Sequence, residues 1–327
     1  MKTRTKQKCA IGKGVLDFCK AAFGSYGSVL IAIITLSIVW AFASPYFLTI
    51  ANMKNIGVYM SAAGIIAAGI TVSMLLGGLD LSQMAIMAFS GVIVAVAYKA
   101  GVTGPILLVI AIGVGFLSGI VNGAIMNYLH LDPIITTLGT QLIFRSLAYI
   151  VSQGNMTVVK DDFIVWIGRG KILGVPVTLC IMAIVYIIVG IVLKYTQFGR
   201  NVISVGGNAE ASYLSGINVK KTRAIAFMIS GSCAGLSTLL YISQGYVAVP
   251  NAGSGADLDA IAAVIIGGLS VGGGKGSIIG TLLGMLFFSV LANGMSLLSM
   301  NSYAQLAVKG SLLLIAVYID ILRRSRK

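Results

Sequence analysis

A glycine-rich stretch with one lysine and two serines, GGLSVGGGKGS at 267–277, has the residue types of a phosphate-binding loop. Such a loop has the spacing GxxxxGK followed by Ser or Thr, because backbone amides surround the phosphates, the lysine reaches them and the hydroxyl binds Mg²⁺. Lys275 follows Gly274 as required, but Leu269 stands where the first glycine is needed, and Gly276 follows the lysine. The sequence therefore predicts no ATPase site in this chain, and we expect a tight glycine turn instead.

The composition is typical of an all-α, polytopic membrane protein. Hydrophobic residues make up 57% of the 327 residues and charged residues only 10%, against about 25% charged in a soluble domain. The net charge of +14 is concentrated in the termini and a few loops, which indicates membrane orientation rather than nucleic-acid binding. Four cysteines without a CxxC pair and a single histidine, His130, predict no metal site, no disulfide and no cofactor.

About ten apolar segments are long enough to be considered as transmembrane helices. They lie at 27–44, 55–77, 82–99, 104–129, 133–153, 175–195, 223–243, 257–272, 277–298 and 303–322. Most of the 23 lysines and arginines fall on the side that would hold both termini, so we expect both termini to be cytoplasmic. The chain then divides into a basic N-terminus (1–25), a transmembrane domain (26–322) and a basic tail (323–327).

Small residues recur at intervals of four, a spacing that lets two membrane helices pack closely. The spacing occurs at Gly115, Gly119 and Gly123 in the fourth segment, at Gly231 and Gly235 in the seventh, and at Gly276, Gly280 and Gly284 in the ninth. We expect these faces to be helix contacts. On the opposite side, Asp161–Lys171 predicts a short helix with Trp166, which either lies at the membrane surface or docks an external partner.

The longest cytoplasmic loop, 196–222, has the features of a short capped helix. Gly206 and Gly207 predict a break, Asn208 an N-cap, and Gly216 the end of a helix over Ala209–Ser215. Glu210 would interact favourably with its N-terminus. Two turns are too few for stability in isolation, so this helix packs either on its own protein or into a groove of a cytoplasmic partner.

At this loop the chain resembles the membrane permeases of ribose-type ABC importers, within the branched-chain amino acid/ribose permease superfamily. The resembling segments, in chain order, are GGLDLSQMAIMAFSG (77–91), GIVNGAIMNYLHLDPIITTLGTQLIFRSL (119–147), GRNVISVGGNAEASYLSGI (199–217), GADLDAIAAVIIGGLSVGGGKGSIIGTLLG (255–284) and QLAVKGSLLLIAV (305–317). One departure is that Gln83 and Met84 replace the usual Val-Gly. The resemblance is strong because five segments match in register.

The resemblance implies a transport subunit in the bacterial inner membrane. Its partners would be a cytoplasmic ABC ATPase subunit, an extracytoplasmic sugar-binding protein, a second permease copy or sister permease, and membrane lipid. The coupling residues it implies are Gly206, Gly207, Asn208, Glu210, Ala211, Ser215 and Gly216. Bulky replacements of Gly207 or Gly216 are then expected to abolish transport without affecting membrane insertion.

Polar side chains within the spans are the candidates for the translocation path or its gating. Asp80 could cap the third span through Ser82 or pair with Arg145, and Arg145 could instead bind carbonyl groups. Lys309 could extend to the membrane surface. A sugar path needs neutral polar groups, and its candidates are Asn122, Thr136, Thr137, Thr140, Gln141, Asn293 and Ser296.

Other functions remain open from the residues alone. A related permease could carry branched-chain amino acids or nucleosides, and an ion-coupled secondary transporter could use Asp80, Arg145 and 257–259. A membrane enzyme would need a cluster of acid, base or metal-binding groups, and the sequence offers none.

Overall fold

A computed structural model describes residues 26–325, with side chains as far as Tyr318. The predicted basic N-terminus 1–25, with Cys9 and Cys19, lies outside the described residues, as do Arg326 and Lys327 of the predicted tail. The domain boundaries therefore stay predictions.

Thirteen α-helices make up most of residues 26–325. They are α1 (Gly27–Ala43), α2 (Ile50–Leu75), α3 (Gln83–Lys99), α4 (Ile106–Tyr128), α5 (Pro133–Ser152), α6 (Asp162–Arg169), α7 (Val177–Tyr195), α8 (Gln197–Gly207), α9 (Ala209–Leu214), α10 (Val219–Gly245), α11 (Asp257–Ile266), α12 (Ile278–Leu297) and α13 (Ser302–Ser325). Two antiparallel pairs of short strands join the connections: β1 (Thr157–Val158) with β4 (Val247–Ala248), and β2 (Lys171–Ile172) with β3 (Val175–Pro176).

Six of the described helices, α2, α4, α5, α7, α10 and α12, are long and apolar enough to cross a membrane. Shorter apolar helices occupy Gly27–Ala43, Gln83–Lys99 and Ser302–Tyr318. The predicted eighth span, 257–272, is shorter in the structure than the sequence indicates. Its helix α11 ends at Ile266 after ten residues, which is about 15 Å and half the hydrocarbon thickness. The chain is polytopic and helical, while the count of ten spans stays a prediction.

Two ends of the bundle can be distinguished by the short helices that lie there. At the α9 end, the C-terminus of α2 meets α8 and the N-terminal approach to α12, where Gly274 N donates to Leu75 O at 2.8 Å. Tyr26, just before α1, also lies there, with its hydroxyl 2.7 Å from Ser277 Oγ. At the α6 end, Gly168 packs against Ser243 near the C-terminus of α10. Which end faces the cytoplasm stays a prediction.

The predicted glycine faces of the fourth and seventh segments are confirmed as helix contacts. In the ninth segment Gly280 and Gly284 lie on α12, whereas Gly276 lies before the helix begins. A Cβ atom added to Gly115 would collide with the carbonyl oxygen of Gly231, and one added to Gly235 would collide with that of Ala111. Helices α4 and α10 therefore touch backbone to backbone along the centre of the bundle. In the same way Gly284 of α12 packs on Ala263 of α11. Close approach replaces the hydrophobic driving force that lipid cannot supply between helices.

The predicted helix between Asp161 and Lys171 is also present, as α6. Asp161 caps it by accepting a hydrogen bond from Phe163 N at 2.9 Å, and its Oδ2 accepts another from Gly104 N at 3.0 Å. Ile164 and Ile167 are buried, whereas Trp166 is half exposed. One face of α6 thus packs on the bundle, and Trp166 remains available for lipid or a partner.

Gly115→Ala should destabilise the protein because the added methyl group has no room at the α4–α10 contact. The expected loss in free energy of unfolding is about 1–3 kcal/mol, typical of overpacking. Gly113→Ala is the matched control, since a Cβ at Gly113 on the same helix meets nothing within 4 Å. Thermal unfolding of the two variants in detergent checks this, and equal melting temperatures would contradict the close α4–α10 contact.

Candidate functional site

The 196–222 segment forms two helices rather than one. The predicted short helix is confirmed as α9, with Asn208 Oδ1 accepting from Ala211 N at 2.9 Å and Glu210 in the first turn. Gly216 has φ +83°, the left-handed conformation that ends a helix. Helix α8 was not predicted. It includes Gly206 and Gly207, so the break lies at Asn208 and not at the two glycines.

Helix α9 presents apolar side chains away from the bundle. Tyr213 is 70% exposed and Leu214 80% exposed, and Glu210 is exposed beside them. Ser212 is buried on the opposite face, where α9 packs on α8 and α10. Ser215 Oγ donates to Ala211 O at 2.8 Å and stabilises the last turn. The result is a short, fixed helix with an apolar tip.

The backbone of this segment contacts two connections, the one before α3 and the one before α12, at a single junction. We call it the glycine junction and define it by Leu75, Gly77, Gly206, Gly273 and Gly274. A Cβ at Gly206 would collide with Leu75 O and lie 2.6 Å from Gly274 N. A Cβ at Gly273 would lie 2.7 Å from the Cα of Gly77. The segments 76–82, 196–222 and 267–277 therefore meet where no side chain fits.

The glycine junction explains the stretch that resembles a phosphate-binding loop. Gly273 N donates to Ser270 O at 3.0 Å, and Gly274 N donates to Leu75 O at 2.8 Å. Both glycines have positive φ, +81° and +69°, so the predicted tight turn is confirmed. These two amides bind the protein's own carbonyl groups instead of pointing toward a phosphate.

Gly206 and Gly207 are adjacent in the sequence, but only Gly206 is part of the glycine junction. Gly206 is enclosed, whereas a Cβ at Gly207 would meet nothing within 4 Å. The expectation that bulky replacements at Gly207 would be harmful has no steric basis in the structure. Gly206 is the constrained residue of the pair, and the roles of Gly207, Ala211 and Ser215 stay predictions.

A buried carboxylate, Asp80, lies deeper in the bundle and connects three helices. Its Oδ1 accepts from Ser82 N at 3.1 Å and Ser82 Oγ at 2.6 Å. Its Oδ2 accepts from Gln83 Nε2 at 2.5 Å at the start of α3, and from Ser230 Oγ at 3.0 Å on α10. Asn122 Nδ2 of α4 then donates to Ser82 Oγ at 2.9 Å. Asp80 thus binds Ser82, the N-cap residue of α3, as one of the two predicted alternatives required, although the Ser82 side chain makes no capping hydrogen bond to the first turn.

The other alternative, a pair between Asp80 and Arg145, is wrong. Arg145 Nη1 donates instead to the carbonyl oxygens of Pro250 and Ala252, at 3.1 and 2.7 Å. This confirms the expectation that Arg145 binds carbonyl groups. It fixes the connection after β4 against α5.

A cavity of about 730 Å³ opens at the α6 end of the bundle. Helices α2, α3, α10, α11, α12 and α13 contribute to its wall. Met84, Met87 and Phe288 are among its apolar lining residues, and Gln244 and Ser289 are among its polar ones. Lys309 and Asp259 also line the cavity and form an ion pair at 2.5 Å. Lys309 therefore has a carboxylate partner in the cavity wall, and its extension to the membrane surface stays a prediction.

Most predicted path residues lie elsewhere. Asn293 and Ser296 line the cavity. Asn122 belongs to the Asp80 cluster, and Thr137 Oγ1 donates to Leu79 O at 3.0 Å beside it. The remaining three, Thr136, Thr140 and Gln141, lie on α5 outside the cavity wall.

Helix α2 passes the cavity, the Asp80 cluster and the glycine junction in turn. Ile66 lines the cavity and also a small cleft with Asp80, and Leu75 belongs to the glycine junction. Nine residues of helix separate them, which is about 14 Å. The chain therefore contains one continuous element that runs from the cavity to the 196–222 segment.

The comparisons with known proteins agree with a transport protein of this kind. Residues 52–317 match the family described as branched-chain amino acid transport system / permease component. The chain is 37% identical to the ribose import permease protein RbsC of Escherichia coli over 295 residues, 89% of this chain and 92% of the relative. The chain belongs to this permease family.

Two further relatives match the permease over most of its length. It is 36% identical to the ribose import permease protein RbsC of Bacillus subtilis over 319 residues, 97% of each chain. It is 37% identical to the D-allose transport system permease protein AlsC of Escherichia coli over 298 residues, 90% of this chain and 91% of the relative. No solved structure matches it. With its apolar helices, the permease is an integral multi-pass membrane protein.

Three parts of the permease site were missed from the sequence. Gln83 and Ser230 join the Asp80 cluster, although Ser230 is 150 residues away along the chain. The Lys309–Asp259 pair is the single salt bridge among the side chains of residues 26–318. The signal available for it was a charge in each of two apolar segments, which in a membrane protein indicates a partner or a function.

Asp80→Ala should destabilise the permease strongly, since three buried side-chain donors lose their acceptor. The expected loss in free energy of unfolding is about 3 kcal/mol or more, and Asp80→Asn, which keeps one acceptor oxygen, should lose less. Asp132→Ala is the control, because it removes an exposed helix cap and should cost only about 1 kcal/mol. Thermal unfolding of purified variants tests the order. A loss for Asp80→Ala no larger than for Asp132→Ala would contradict the cluster.

Proposed function

We propose that this chain is the permease subunit of an ABC importer that carries a neutral sugar. The sugar is delivered by an extracytoplasmic binding protein, and transport is driven by a separate ATPase subunit. The complex lies in a bacterial inner membrane, with a second permease copy or a sister permease beside this one. Two relatives named for ribose import and one named for D-allose transport support the sugar assignment.

The observation that carries the proposal is the exposed tip of α9 on a rigid base. Tyr213 and Leu214 are apolar, outward-facing and held on a capped helix. Large apolar side chains in this position are typical of anchors that enter a pocket of another protein. The end of the bundle that holds α9 is then the cytoplasmic end, and α9 docks on the ATPase subunit.

The glycine junction gives the docked helix a route into the membrane domain. Because Gly206 touches Leu75 and Gly274 without intervening side chains, a displacement of α8 and α9 moves the end of α2 and the 267–277 turn with it. Packed backbones transmit displacement because they have no room to absorb it. The Asp80 cluster lies between this junction and the cavity, and we assign it the closed layer of the path.

The same turn supports the assignment of ATP hydrolysis to a separate subunit. The amides of Gly273 and Gly274 are used by the protein itself, and the spacing around Lys275 departs from a phosphate-binding loop. The chain therefore supplies the path and the docking helix, and its partner supplies hydrolysis. The rival substrates within the family are branched-chain amino acids and nucleosides.

Leu214→Glu should separate the permease from its ATPase subunit, because a charge replaces an apolar anchor. The measurement is affinity purification of the tagged permease from its native membrane, with the co-purified ATPase quantified. We expect recovery to fall about tenfold or more, the effect of losing an anchor residue.

Leu173→Glu is the matched control for this experiment. Leu173 is fully exposed at 101%, in the connection between α6 and α7 at the other end of the bundle, so ATPase recovery should stay at the level of the unaltered chain. An unaltered permease that purifies without any ATPase, under conditions that preserve other importers, would overturn the proposal. Equal recovery with Leu214→Glu would show that α9 is not the docking helix.

A further inference from the structure

The cavity at the α6 end contains a charged pair to which the proposed function assigns no role. Asp259 Oδ2 and Lys309 Nζ lie 2.5 Å apart, and their side chains are 19% and 18% exposed. The pair joins α11 to α13, fifty residues apart in the chain. Charged side chains within membrane segments are costly, and those that line a water-filled cavity mark a functional site by default.

The charge on the cavity wall is balanced. Asp259 and Lys309 are the charged side chains among its described lining residues, and they have opposite sign. The wall therefore gives neither an anion nor a cation a net attraction. A molecule that binds here must satisfy one acceptor-rich group and one donor-rich group placed side by side, which a hydroxyl group can do because it both donates and accepts.

A second polar group faces the same cavity from α12. Asn293 and Asn52 exchange two amide hydrogen bonds, Asn52 Nδ2 to Asn293 Oδ1 at 2.9 Å and Asn293 Nδ2 to Asn52 Oδ1 at 2.8 Å. A primary amide has two donor hydrogens and an oxygen with two lone pairs. Asn293 therefore keeps one donor and one acceptor for a ligand, held in a fixed orientation by Asn52.

The remaining wall fits the apolar face of a small ligand. Met84, Met87 and Phe288 are buried and border the cavity. The volume of about 730 Å³ lies within the range of small-molecule sites, about 300–1,000 Å³, which combine an apolar wall with a few placed polar groups.

We propose that Asp259, Lys309 and Asn293 form a substrate site inside a single permease chain, for an uncharged molecule with several hydroxyl groups and the size of a monosaccharide. This proposal rests on the proposed function, and it adds the substrate class and the residues that contact the substrate. Hydroxyl groups of the ligand donate to Asp259, accept from Lys309 and pair with the free positions of Asn293. The short helix α11 holds Asp259 at the wall, which explains why this segment is not a full-length span.

An amino acid is the rival ligand, since a zwitterion also carries one group for each charge. It would have to separate Lys309 from Asp259 and replace their 2.5 Å contact with two new ion pairs. A polyol binds without breaking that contact. The geometry therefore favours the polyol, and the test distinguishes the two ligands.

The test is uptake into proteoliposomes that contain the whole complex, with ATP inside and the binding protein outside. The probes are labelled D-ribose, D-allose, D-glucose and myo-inositol, with L-leucine as the rival. The variants are Asp259→Asn, Lys309→Gln and the exchange Asp259→Lys with Lys309→Asp. Asp162→Asn and Lys99→Gln are controls, because both residues are exposed rather than part of the cavity wall.

For the probe that the unaltered permease transports best, we expect each single variant to raise KM about tenfold or more, the effect of losing a hydrogen bond to a charged group. The exchange should restore thermal stability, since the pair is re-formed, but not KM, because donor and acceptor have changed places. The two controls should keep the KM of the unaltered chain. A merely structural ion pair would recover both stability and KM in the exchange.

Each contrary result contradicts either the substrate site alone or the substrate site together with the sugar-import function. An exchange variant with an unchanged KM overturns the substrate site while the sugar importer stands. Uptake of L-leucine in place of every polyol overturns the substrate class and the sugar function together, and so does an intact complex that transports none of the polyols.

Discussion

The meeting of three backbones at Leu75, Gly206 and Gly274 is the constraint on which the rest of the structure depends. No side chain fits between them, and one hydrogen bond of 2.8 Å joins Gly274 to Leu75. The 196–222 segment is thereby attached to the end of α2 and to the turn before α12. Helix α9 has only six residues and little stability of its own, and it packs on α8, the helix that makes this contact.

The same helix that ends at the glycine junction borders the cavity at its other end. Ile66 and Leu75 are parts of one rigid α-helix, with the Asp80 cluster beside it. Asp80 draws the start of α3 to α10, and Asn122 extends the cluster to α4. A single change of backbone position at the junction can therefore reach the Asp80 cluster, which we propose closes the path.

Local features of the site could be predicted from the sequence because local rules decide them. The cap at Asn208, the end of a helix at Gly216 and the glycine faces of α4 and α10 depend on residue type and spacing. Helix α8 was missed because its last two residues are glycines, which usually indicate a break. The enclosed position of Gly206 and the open position of Gly207 depend on what packs against them, which no local pattern reveals.

Contacts between distant segments were the least accessible from the sequence. Asp259 and Lys309 are fifty residues apart, and each was predicted to act separately. The neutral polar residues of α5 were expected along the path because of their type alone. All four of them lie outside the cavity because helix α5 packs on α3 and α4 instead of bordering it: Thr136, Thr137, Thr140 and Gln141.

The most direct measurement is the amount of sugar transported per ATP hydrolysed by the reconstituted complex carrying Gly206→Ala, beside Gly207→Ala. The added methyl group has no room at Gly206 and free space at Gly207. If the glycine junction transmits the movement of the ATPase, Gly206→Ala should keep hydrolysis and lose most uptake, while Gly207→Ala should keep both. Equal sugar-to-ATP ratios in the two variants, with the complex intact, would contradict transmission through the junction.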